Sequence, residues 1–231
     1  CENLVESAVN NQVNLLSMKT ITTIKSFVAA LVCCIAVSGC SAKTAPEHVQ
    51  AVDLGLSVKW ASCNIGADSP EDFGQYFAWG ETEKKTSYSE RNSKTCNCGL
   101  DNLCSNGYTD DKGVLTPDND AAREHWGEQW RMPTDKDFQE LLSQCIWKWT
   151  KKNGKNGFEI KGPNGNTIFL PAAGNWAGNM LEDSESDGHY WTSTVCDNKK
   201  EAWHLYINSG ERTQISRGRE LGLSIRPVSD K

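Results

Sequence analysis

The sequence predicts an α+β domain, with one or two helices followed by an antiparallel strand meander at the C-terminal end. Three observations predict it. Phe138, Leu141, Leu142 and Cys145 recur at helical spacing behind the capping residue Thr134. Two short segments, 158–161 and 167–170, flank the turn-forming run Gly162-Pro163-Asn164-Gly165-Asn166. Beyond them, residues 190–195, 202–207, 212–216 and 221–228 read as short strands. Turn residues separate them, as at Asn208-Ser209-Gly210 and Arg217-Gly218-Arg219.

The N-terminal region carries an address rather than a fold. Met18 opens a segment with Lys19 and Lys25, an unbroken apolar run follows over 27–37, and Val37-Ser38-Gly39-Cys40 closes it. Cationic start, short apolar run and small residues mark a secretory signal over 18–39. The run is shorter than the roughly 20 residues that span a bilayer. Val37-Ser38-Gly39-Cys40 resembles a bacterial lipobox, which implies cleavage before Cys40 and a lipid on its sulfur. The expected location is therefore outside the cytoplasm, at the outer membrane or cell surface, touching the membrane only through that lipid. Residues 1–17 read as an upstream extension foreign to the native protein, 40–50 as a polar tether, and 51–229 as the domain.

Composition agrees. The chain of 231 residues has a formal net charge of −6, which gives no electrostatic footprint for nucleic acid. Its nine Trp all lie beyond residue 59, inside the expected domain. Cys63, Cys96, Cys98, Cys104, Cys145 and Cys196 follow the cleavage site. In an exported domain an even number of cysteines predicts that most are paired, with Cys63 and Cys145 a plausible bridge.

Leu54, Leu56, Val58 and Trp60 alternate with Gly55, Ser57, Lys59 and Ala61, so 54–61 reads as the first strand. The stretch 81–112 is rich in Ser, Thr, Asn, Asp and Gly and reads as a long loop. Thr134 and Asp137 form a capping-box pattern ahead of the main helix, and a shorter helix is expected around 118–126.

Chemistry-bearing motifs are sparse. Cys96-x-Cys98-x5-Cys104 lacks paired zinc spacing and a nearby His. The run 183–188, Asp-Ser-Glu-Ser-Asp-Gly, begins like a calcium loop, but Thr194 stands where the bidentate Glu belongs. His48, His125, His189 and His204 lie in no nucleophile motif. No catalytic residue, metal or cofactor is assigned.

Five ordered blocks carry a family resemblance: residues 52–61 with 74–82, 126–134, 162–174, 190–194 and 222–228. Among them are Gly74-Gln75-Tyr76-Phe77-Ala78-Trp79-Gly80, Trp130-Arg131-Met132-Pro133-Thr134 and Gly222-Leu223-Ser224-Ile225-Arg226-Pro227-Val228. Together they resemble the Fibrobacter succinogenes major paralogous domain found in Bacteroidetes surface lipoproteins. The resemblance implies a C-type-lectin-like fold. Related proteins include targets of diversity-generating retroelements, which implies that 202–220 is a segment able to vary. The broad fold also includes the formylglycine-generating enzyme, whose reactive cysteine pair is missing, since only Cys196 lies in the C-terminal part.

Strand alternation supplies the candidate site. With Trp203, Leu205, Ile207 and Ile215 placed in the core, His204, Tyr206, Asn208, Arg212, Gln214 and Ser216 form an outward face. Arg217, Arg219 and Glu220 sit in the adjoining loop. These residue types suit adaptable recognition of a protein or glycan. The first functional expectation is a surface-displayed binding module; the second is a structural envelope or adhesive-filament component.

Overall fold

The computed structural model describes residues 43–197 and 200–231. The upstream stretch 1–17, the signal segment 18–39 and Cys40 lie outside the described residues. The described chain opens on 43–50, where Ala45 and Val49 pack against buried residues of the domain.

Strands β1 (Ala51–Asp53) and β2 (Val58–Ala61) pair antiparallel. Of the first expected strand, 54–61, only 58–61 is formed, and β1 precedes it as a strand not foreseen, although Leu54, Leu56, Val58 and Trp60 are all buried as the alternation requires. The break between β1 and β2 is local. Gly55 takes φ +81° and its amide donates to the Asp53 carboxylate at 2.8 Å, a side-chain turn that interrupts the ladder. After β3 (Tyr76–Phe77) the predicted loop contains a short helix, α1 (Leu100–Ser105). Helix α2 (Ala121–Trp126) is capped by Asp120, and α3 (Asp135–Gln144) by Thr134. The Thr134–Asp137 capping box is formed as the sequence predicts.

The expected hairpin is present as β5 (Lys155–Lys161) and β6 (Thr167–Pro171). A strand not foreseen, β4 (Ile146–Lys152), pairs with β5 on its other side. A small hairpin follows, β7 (Asn175–Ala177) with β8 (Met180–Glu182). The meander is β9 (Asp187–Val195), β10 (Glu201–Asn208) and β11 (Arg212–Gly218). Of the last expected strand, 221–228, only β12 (Leu223–Ser224) is formed within it, and β13 (Val228–Asp230), in a different sheet, begins at its final residue.

The class is α+β. Among the described residues only α3 reaches seven residues, and the sheets are antiparallel or mixed. The central sheet runs β11-β10-β9-β12-β3, with β12 parallel to β9. Three-stranded sheets β1-β2-β13 and β4-β5-β6 and the β7-β8 hairpin complete the set.

The central sheet is buried on both faces. Tyr190, Leu205 and Ile207 join one apolar cluster with Trp60, Phe138 and Leu170. Trp191 and Ala202 join another with Phe77, Trp79 and Leu223. Adjacent residues of β9 therefore serve opposite cores, as the alternation of a strand requires.

Cys63, Cys96, Cys98, Cys104 and Cys145 are free thiols, so the expected Cys63–Cys145 bridge is not formed. Cys63 is buried beside the Ser62 hydroxyl, whereas Cys145, at the end of α3, packs against the cluster that holds Trp60 and Phe138.

Candidate functional site

The register of β10 against β11 decides which side chains share a face. Trp203 pairs with Ser216, His204 with Ile215, Leu205 with Gln214, Tyr206 with Thr213 and Ile207 with Arg212. Directly opposed residues lie on the same side of a sheet. One face therefore holds His204, Tyr206, Asn208, Thr213, Ile215 and Arg217. The other holds Trp203, Leu205, Ile207, Arg212, Gln214 and Ser216.

The expected outward set is split between these faces. Ile215, placed in the core by its apolar character, is 41% exposed. That one assignment set the register of β11 a residue out, and a one-residue slip exchanges the faces. Arg212 lies over the Trp147 ring at 6.0 Å, on the side of β4. Gln214 donates to the Asp135 carbonyl at 2.8 Å, and Ser216 to the Glu201 carboxylate at 2.5 Å. Those three side chains serve contacts within the domain.

Two further candidates are buried. His204 is fully enclosed, because Trp191 and the neighbouring cluster cover its face of the sheet. Arg219 is also fully enclosed, with its guanidinium 5.7 Å from the Trp79 ring and Nη2 donating to the Cys98 carbonyl at 2.7 Å. Beside it Glu220 accepts from the Cys96 thiol at 3.2 Å. Burial first, then Glu220, pushes that thiol up to about 11.

The remaining candidates do come together. A ladder of rings leads outward from the core: Trp191 edge-on to His204, His204 stacked on His189, His189 tilted against Tyr206. The centroid separations are 6.0, 5.3 and 5.1 Å. Tyr206, at the outer end, is half-buried. Its hydroxyl donates to Asp187 at 2.9 Å and accepts from Asn208 at 2.6 Å. Burial of the ring, then the Asp187 carboxylate, raises the phenol above its ordinary range, so it is a neutral donor at physiological pH. On the same face Arg217 donates to Asn175 at 3.3 Å.

The two histidines cannot act as bases near neutral pH. Burial, then the positive charge of Arg217, lowers both to about 3. Held neutral, the His189 ring packs against Tyr206.

Asp187 and His189 belong to this arrangement but were not among the sequence candidates. Strand alternation from His189 through β9 was the available signal, since it places both on the face of Tyr206. The calcium-like run is differently employed: the Glu185 carboxylate pairs with Lys155 at 2.8 Å and accepts from the Asn156 amide at 2.9 Å.

Comparisons with protein-family models, with curated proteins and with solved structures returned no match. The class stands on the architecture, an α+β domain with a mixed central sheet.

Proposed function

We propose that this chain is a lipid-anchored surface binding module, held to the membrane through Cys40 and recognising a protein or glycan with the outer face of β9–β11. We infer a C-type-lectin-like fold. Early helices, a late strand meander and the pairing of β2 with β13 near the two ends of the domain support that reading. The five sequence blocks support it independently.

The observation that carries the function is the fixation of Tyr206. A half-exposed aromatic ring, braced from beneath by His189 and held at its hydroxyl by Asp187 and Asn208, has little freedom left to lose on binding. Such pre-organised amphipathic rings make strong contact anchors. Arg217 and the exposed Ile215 give the same face a cation and an apolar surface. Beside them Thr213 can change without disturbing Leu205 or Ile207 on the opposite side.

The test is a cell-surface and glycan-array screen with the wild type, Tyr206→Ala and Arg217→Ala. Each variant should weaken any ligand found by about 1–2 kcal/mol. Full affinity in both variants moves the site off this face.

A further inference from the structure

A second site lies away from this face, over the β4–β5–β6 sheet. A cavity of about 300 Å3 opens there, with Val52, Ser62 and Pro70 among the residues that line it. That volume is at the lower end of the range for small-molecule sites. Strand alternation puts Lys148, Thr150 and Lys152 of β4 on one side of the sheet. The ladder then places Glu159 opposite Lys148, Phe169 beyond Glu159, and Thr167 opposite Lys161.

Charge distinguishes this cavity from the rest of the molecule. The chain as a whole is acidic, at −6. Three lysines, Lys148, Lys151 and Lys152, nevertheless line one small cavity, and Glu159 is the single carboxylate among its lining residues. Among the described residues none of the three forms an ion pair, whereas nearby Lys155 is taken by Glu185. Lys152 lies over the Phe169 ring at 5.9 Å, which holds its ammonium above the sheet. Clustered like charges repel, and an anion seated between them relieves that repulsion.

The hydroxyls add a second requirement. Thr150 and Thr167 line the cavity, and neither hydroxyl is engaged by another protein group among the described residues. Cations beside unengaged hydroxyls in a cavity of this size match one compact, hydroxylated, negatively charged ring. We propose that the groove binds a single acidic sugar residue, its carboxylate between Lys148 and Lys152 and its hydroxyls toward Thr150. The site shares no residue with the Tyr206 face, so either proposal can fail without the other.

Glucuronate is the probe, with glucose and inorganic sulfate as controls, followed by NMR titration and calorimetry on the domain. Glucuronate should bind saturably and weakly, with affinity falling as salt rises. Combined Lys148→Ala and Lys152→Ala should weaken it at least about tenfold. Glu159→Gln removes the opposing carboxylate and should tighten binding about threefold. All these positions are exposed, so circular dichroism and melting should be unchanged. Four results would overturn the proposal: no saturable binding of glucuronate, full affinity in the double variant, weaker binding in Glu159→Gln, or glucose or sulfate binding as tightly as glucuronate.

Discussion

The imidazole of His189 lies against that of His204, with Nδ1 of the first 3.2 Å from Nε2 of the second and the rings stacked at 29°. Both rings are enclosed, and among the described residues the second nitrogen of His189 has no hydrogen-bond partner. An ordinary histidine titrates near 6.5, but these two stay neutral until about 3.

The sign of the pH dependence follows from those values. The folded state holds both rings neutral, so the unfolded state binds more protons below about 6.5. Stability is fully present above that pH and is lost as pH falls toward 3. Between pH 7 and 5 each ring should contribute a loss on the order of 1 kcal/mol per pH unit once below 6.5. Urea unfolding across this window, above most carboxylate titration, measures it. His204→Gln should flatten the slope; an unchanged slope would show that the pair is not its source.

Asp120 organises two elements at once. Its carboxylate accepts from the Ala122 and Arg123 amides of α2 and from the Met132 amide ahead of α3, while only 4% exposed. Asp120→Ala should cost about 2–4 kcal/mol, since it removes a cap and leaves a buried amide unsatisfied. Asp120→Asn, which keeps one acceptor oxygen, should recover part of that loss in the same denaturation experiment.

Arg226 is fully buried and, among the described residues, has no carboxylate partner. Its guanidinium instead donates to Asn64 Oδ1 and to the carbonyls of Ala61, Ser62 and Phe169, at 2.8–3.1 Å. That fork ties the β2 region to β6. Arg226→Met should lower stability by about 3 kcal/mol or more, because several buried acceptors lose their donor. Arg226→Lys should rescue little, since an ammonium cannot reproduce the planar fork. Full stability in either variant would remove Arg226 from the framework.

The thiols should differ in reactivity. Cys104 is exposed, whereas Cys96 and Cys145 are each raised to about 11, in both cases chiefly by burial. At neutral pH, iodoacetamide should therefore modify Cys104 well before Cys96 or Cys145. Timed alkylation with mass spectrometry reads the order. Faster labelling of Cys96 would contradict the enclosure described here.

Local chemistry was legible in the sequence and distant chemistry was not. Thr134 and Asp137 lie three residues apart, so their reciprocal cap could be read directly. Asp120 was not found, because one of its amide partners is twelve residues away. The face of β10 was misread because alternation reports burial only when one side of a sheet meets solvent. Here Leu205 and His204, on opposite sides, are both fully buried. Ile215 then looked like core although it lies on the partly open side. β4 was missed for a similar reason: Trp147 and Trp149 both pack edge-on to Phe158. Their spacing of two was the strand signal that packing obscured.

The pairing of β2 between β1 and β13 has a consequence for the order in which the domain can be assembled. β2 is among the first strands to emerge during synthesis, yet one of its edges waits for residues 228–230. A chain threading out of a ribosome or a translocation channel cannot close that sheet part-way. Until residues 228–230 have emerged, the edge of β2 away from β1 is an unpaired template open to other chains.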